Sequence, residues 1–224
     1  LPEVQWYPLA VDMTRYAGEW VAIVVADNAY IAEDALELIQ VDYEPLAAVV
    51  DPEQAFAETD LYVHPGHGSN VLYHGIFLWG DVDGDFAAAD DSLTFRARWG
   101  RSSTVPIETF GALARWDEGT EILDIWASIQ MPNFVELLAN TLGYPLNSIR
   151  LHQDVDVGGS YGVKRGIKQS VLVGYLSRKL RRPVRLIEDR LVNMAGGDAH
   201  GPDRIFDTDV AFTNDGIIKS LKIR

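Results

Sequence analysis

Val155-Asp156-Val157-Gly158-Gly159-Ser160-Tyr161-Gly162-Val163-Lys164-Arg165-Gly166 sets four glycines within twelve residues. It follows Ser148–Val157, whose alternating apolar residues predict a strand, and leads into Gly166–Leu180, whose apolar stripe and basic last turn predict a helix. A strand, a glycine loop and a helix together gather backbone N–H groups and the positive helix end at one spot, which suits an anion such as phosphate or pyrophosphate. The two common signatures of that chemistry are absent. Val163 separates Gly162 from Lys164, breaking the Walker pair, and Gly158, Gly159 and Gly162 have the wrong offsets for a dinucleotide fingerprint. On geometry alone, an anion-accepting loop and a plain tight turn both stand.

Other reactive residue types are scattered. His64, His67 and His74 with Asp81, Asp83 and Asp85 carry metal-ligand chemistry, but their loose spacing reads as a solvated loop rather than a ligand set. Ser160 lacks the G-x-S-x-G spacing of a nucleophile elbow, and His152 and His200 have no evident positioning carboxylate, so a serine hydrolase is rejected. Glu108 reads as a rim residue at a strand start rather than a pocket carboxylate, and Gln130 as either a helix-entry hydrogen-bonder or a pocket amide. Lys164, Arg165, Lys168, Arg178, Lys179, Arg181, Arg182 and Arg185 cluster within 22 positions. A solvated helix face is favoured there over a surface for an anionic ligand.

Composition narrows the field. The 224 residues carry a net charge of −14, which argues against general nucleic-acid binding. Zero cysteines exclude disulfides, iron–sulfur ligation and thiolate chemistry within the chain. The longest apolar runs, such as Val21–Ala26, are far too short to span a bilayer. No membrane partner is expected.

The elements that must position the loop follow from periodicity. Residues 1–58 read as a small α+β unit: a strand over Glu19–Ala26, a helix over Tyr30–Ile39, a strand over Gln40–Tyr43, then an extended passage that Pro45 and Pro52 keep out of helix. Residues 59–91 read as a connector. In 92–224, the runs Ser92–Trp99, Thr109–Trp116 and Glu121–Ser128 predict an antiparallel sheet, and Phe134–Leu142 predicts a helix capped by Gly143. Pro183–Asp189 predicts a strand, and Asp203–Phe212 and Gly216–Ile223 a hairpin around Asn214-Asp215-Gly216. The class is α+β.

Five ordered segments carry a resemblance over nearly the whole chain. "GEWVAIVVADNAYIAEDALELI" with "VDYEPLAAVVDPEQAF" resembles the end of the small hammerhead domain that opens the large subunit of the xanthine oxidase family of molybdenum hydroxylases. "VPIETFGALARWD", "WASIQMPNFVELLANTLGYPLNSIRL", "DVGGSYGVK" and "RRPVRLIEDRLVNM" resemble, in order, the start of that family's mixed α+β molybdopterin-binding domain.

The resemblance implies that the loop backbone approaches the molybdenum and dithiolene end of a molybdopterin cofactor, in its plain or cytosine-dinucleotide form. Gly158, Gly159, Ser160, Tyr161, Gly162 and Lys164 occupy the places of the family's Gly-Gly-Gly-Phe-Gly-x-Lys, with Ser160 for the third Gly and Tyr161 for the Phe. Arg101 stands where the xanthine-type branch has a Gln contacting a molybdenum oxo ligand, and Arg165 where it has a substrate-binding Glu. A purine substrate is therefore not expected. No metal ligand or catalytic residue is expected within the chain, since the family's general base lies beyond the region matching residue 224. The chain thus reads as a fragment, or as one piece of a large subunit divided between chains. The implied activity is hydroxylation of an aldehyde or N-heteroaromatic C–H with water-derived oxygen. Electrons would pass to separate iron–sulfur and FAD-carrying flavin subunits in the cytoplasm. The alternative is a non-catalytic assembly module that keeps the fold without metal.

Overall fold

A computed structural model describes residues 4, 6–153, 156–196 and 200–224. In chain order its main elements are α1 (Ala29–Leu36), α2 (Pro52–Ala57), α3 (Val82–Ala87), β1 (Asp91–Trp99), β2 (Gly111–Asp117), β3 (Ile122–Ala127), α4 (Phe134–Leu142), β4 (Ile149–His152), α5 (Ile167–Leu180), β5 (Val184–Ile187), α6 (Arg190–Ala195), β6 (Arg204–Phe212) and β7 (Ile218–Ile223). They fall into two compact units, one formed mainly by Ala47–Ser102 with Gly201–Arg224, the other by the segment ending at Leu46 with Ser103–His200. Among the described residues no helix is long and apolar enough to cross a membrane.

The first unit is built on a three-stranded sheet in the order β1-β6-β7. β1 and β6 run antiparallel from Asp91 opposite Phe212 to Trp99 opposite Arg204. Gly216, in the left-handed region at φ 84°, makes the β6–β7 turn where Asn214-Asp215-Gly216 predicts one. Pro52 does not exclude helix. It opens α2 in the first turn, where its missing N–H would have no intrahelical partner, and the Asp51 carboxylate accepts from the Glu53 and Gln54 amides at 2.9 and 3.0 Å. In the same way Asp81 caps α3, accepting from Gly84 N at 3.0 Å inside the stretch expected to be a connector. His67 Nε2 there bonds the Val71 carbonyl at 3.2 Å.

The second unit holds the loop. Its sheet runs β4-β3-β2-β5, with β3 parallel to β4 and the other two pairs antiparallel. The expected single sheet of three sequential strands is therefore split: β2 and β3 form its hairpin, while β1 pairs in the first unit with a strand more than a hundred residues away. Ala112, Ala114, Leu123 and Ile125 face the helices, meeting Phe134, Leu138 and Ala139 of α4 and Val171 and Val173 of α5 in one buried cluster. The two alanines of β2 leave room for α5 to lie close over that strand.

α1 forms where helical spacing predicts it, capped by Asn28, whose Oδ1 accepts from Ile31 N at 3.0 Å. The strands expected over Glu19–Ala26 and Gln40–Tyr43 do not form. Among the described residues no strand pairs with either run, and an unpaired run makes no ladder. β4 stops at His152, and residues 154 and 155 of the expected longer strand lie outside the described residues.

The sheet face turned away from α4 and α5 carries a polar cluster. Asp124, nearly buried, accepts from Arg115 at 2.9 Å and pairs with His152 Nε2 at 2.8 Å, and the imidazole stacks on Trp126 with centroids 4.5 Å apart. Burial alone would raise the Asp124 pKa, but the hydrogen bonds and charge of His152 and Arg115 outweigh it and hold the carboxyl below its usual value. Asp124→Ala is expected to lower the urea midpoint by an amount equivalent to about 2 kcal/mol, because it takes the shared acceptor from Arg115 and His152 and leaves a buried vacancy beside them. An unchanged midpoint would show the cluster to be energetically idle.

Candidate cofactor site

The loop is shaped by its own turns. Gly159 N donates to Val157 O at 2.9 Å and Val163 N to Ser160 O at 3.1 Å, so the chain reverses twice between β4 and α5. Gly159, Tyr161 and Gly162 are all in the left-handed region, at φ 95°, 54° and 99°. Tyr161 is a non-glycine residue held there, which marks local strain at the loop crest. Tyr161 is 74% exposed. Among the described residues, no acceptor takes the amide hydrogens of Tyr161 and Gly162, and a Cβ added at Gly162 would meet nothing within 4 Å. The crest thus offers free backbone donors and open space.

Glu108 holds the loop from behind. Its Oε2 accepts from Gly158 N at 2.5 Å, from Ser128 Oγ at 3.1 Å and from Lys164 Nζ, while its own N–H donates to Gly158 O at 3.3 Å. Desolvation would raise this carboxyl's pKa, but the bonds from Lys164, Gly158 and Ser128 together hold it below the usual range. The sequence expectation of a rim residue misses this role. No local signal reveals it, because its partner Lys164 lies 56 residues away and the burial of that lysine comes only with the fold.

Lys164 is fully buried, so it is not part of a solvated basic face. Three other cations of the cluster are also engaged. Lys168 Nζ donates to Gly196 O at 2.7 Å and lies 4.4 Å from the Trp20 ring centroid; Arg178 sits over Trp116 and Tyr144; and Arg181 pairs with Glu118 at 2.8 Å. With Lys164 paired with Glu108, what the crest itself offers is the dipoles of its backbone amides.

A further layer fixes the 106–110 segment. Arg190 donates to Ile107 O at 2.7 Å, and Glu188 N donates to Phe110 O at 2.9 Å. The buried Glu188 carboxylate accepts from Gln169 at 2.7 Å and Asn193 at 2.8 Å. The short α6 that supplies Asn193 has no counterpart among the expected elements; its cap, Asp189, accepts from Val192 N at 2.7 Å. Of the residues singled out from sequence, Gly158 to Gly162 come together in this unit, whereas Arg101 is exposed and follows β1 in the first unit.

Residues 63–224 match the molybdopterin cofactor-binding domain family, and residues 2–47 match the aldehyde oxidase and xanthine dehydrogenase a/b hammerhead domain. The chain is 32% identical over 216 residues to 6-hydroxypseudooxynicotine dehydrogenase complex subunit gamma of Paenarthrobacter nicotinovorans, covering 96% of this chain and 27% of that protein. It is 34% identical over 195 residues to the nicotine 6-hydroxylase large subunit of the same organism, covering 86% and 24%. The structure of quinoline 2-oxidoreductase from Pseudomonas putida 86 superposes with a TM-score of 0.82 at 37% identity, over 97% of this chain and 28% of that one. The chain spans about a quarter of the length of the curated relatives it matches.

Proposed function

The chain belongs to the xanthine oxidase family of molybdenum hydroxylases, and from that premise we propose that it is the part of a large subunit that encloses the metal end of a molybdopterin cofactor. The free Tyr161 and Gly162 amides carry this reading. They fit such a group: a dithiolene or oxo ligand is an acceptor that needs donors without a competing anion, and the open space at Gly162 lets it approach the backbone. Gly158, Gly159 and Ser160 set the crest's path, and Glu108 with Lys164 keeps it from collapsing. The bound molybdenum would supply a Lewis-acidic, two-electron oxidant.

The whole enzyme is proposed to be a cytoplasmic oxidoreductase that hydroxylates a C–H bond with water-derived oxygen, passing electrons to separate iron–sulfur and flavin proteins. Relatives named for quinoline and nicotine favour an N-heteroaromatic over an aldehyde as substrate. Arg165, exposed beside the loop, favours a substrate without a cationic edge there. Metal and pterin analysis of the native multi-subunit protein is expected to find both in near-equimolar amounts with the large subunit. A complete complex devoid of both would sink this reading and leave the assembly-module alternative.

A further inference from the structure

We propose that Gln130 is a further cofactor-facing residue, held by Ser160 so that its carboxamide nitrogen joins the Tyr161 and Gly162 amides as a third uncharged donor. The assignment rests on the reading of the loop as a pterin site. Two chain segments meet here. Gln130 N donates to Lys164 O at 2.9 Å, which fixes the backbone of Gln130 against the loop, and Gln153 Nε2 donates to the neighbouring Ile129 O at 3.1 Å. The side chains then form a relay: Lys164 N donates to Ser160 Oγ at 3.3 Å, and the Ser160 hydroxyl donates to Gln130 Oε1.

The direction of this relay sets the carboxamide. A hydroxyl that already accepts from the Lys164 amide has its proton left to give, so the oxygen of Gln130 turns toward Ser160 and the nitrogen turns away. Among the described residues, nothing accepts from that nitrogen. Its two N–H groups therefore lie one carboxamide's width from the hydroxyl of the residue that precedes Tyr161. With the oxygen occupied, Gln130 can present only donors to a ligand. A ligand that completes this set is rich in acceptors and bears none of its own protons at the contact, as an oxo, phosphate or dithiolene edge would.

Ser160 thereby does more than fill a glycine position. A glycine there would leave the Gln130 carboxamide free to turn either edge toward the loop, and a ligand would have to order it on binding.

Full-length enzyme carrying Gln130→Glu, Ser160→Ala or Ser160→Thr tests the assignment. Gln130→Glu keeps the size but replaces the donor edge by an acceptor, and is expected to speed loss of molybdenum and pterin during dialysis against chelator on the order of ten-fold. Ser160→Ala should show a smaller acceleration, and Ser160→Thr, which keeps the hydroxyl, should restore slow loss. Unfolding of the cofactor-stripped proteins separates this from misfolding, since changes at the exposed Gln130 and the half-buried Ser160 should leave the urea midpoint near wild type. Wild-type enzyme that retains cofactor while Gln130→Glu retains it equally well would overturn this assignment alone. Wild-type enzyme isolated without any pterin would overturn the proposed function, and this assignment with it.

Discussion

Replacing Glu108 by Ala is expected to destabilise the protein on the order of 3 kcal/mol, read as a fall in the urea midpoint, because it strands the Lys164 ammonium in the interior. Lys164 has no exposed surface, and Glu108 is its ion-pair partner. The same substitution also removes the acceptor of Gly158 N and Ser128 Oγ. Stability alone does not distinguish the pair from general packing, so the informative variant is the double change Glu108→Gln with Lys164→Met. An isosteric neutral pair needs no compensation, and most of the loss should be recovered. If the double variant is no more stable than Glu108→Ala, the ion pair is not the source of the effect.

The pH dependence has a definite sign. Glu108 is held below its usual pKa in the folded state, so its contribution is fully present above the unfolded carboxyl's value near 4.5 and is lost as the pH falls through the lower folded value. Wild-type protein should therefore shed this component only in the acid range. Glu108→Gln should lack it at every pH, and the difference between the two stability curves should close as the pH falls.

What was legible in the sequence was local chemistry. α4 ends where Gly143, at φ 68°, takes the left-handed cap, and the β6–β7 turn falls on Gly216, because each signal lies within a few residues of its effect. The sequence hides α2 because a proline has opposite meanings inside a helix and in its first turn, and only the Asp51 cap distinguishes them. Glu19–Ala26 failed for a different reason: β-propensity describes a fit to a neighbouring strand, and that run has none among the described residues. The pairing of β1 with β6 could not be read either, since nothing in Ser92–Trp99 names a partner so distant in the chain. At the site, the loop's composition pointed to a close approach of something to the backbone. The supports, Glu108 and Lys164, are 56 residues apart and could be joined only once the fold was known.

Gly166→Ala is expected to cost roughly 3 kcal/mol, as the sum of about 1 kcal/mol for an alanine in the left-handed region and about 2 kcal/mol for overpacking. Gly166 caps α5 at φ 64°, and a Cβ there would lie 2.4 and 2.5 Å from two ring carbons of Phe110 and 3.2 Å from Ile129 Cγ2. Phe110 is only 1% exposed and belongs to the core cluster, so its ring has little room to yield. The backbone of Phe110 is also bonded to Glu188, and the segment it ends carries Glu108, so a displaced ring should loosen the loop as well as the core. Gly162→Ala provides the contrast. Its φ of 99° makes alanine strained, but no atom lies within 4 Å, so the urea midpoint should fall less than for Gly166→Ala while the methyl group narrows the open crest. Paired unfolding and molybdenum measurements should then separate the two glycines: Gly166→Ala loses stability first, and Gly162→Ala stays folded but loses cofactor. Equal urea midpoints for Gly166→Ala and wild type would mean that Phe110 moves freely, and the link from core to loop would be broken.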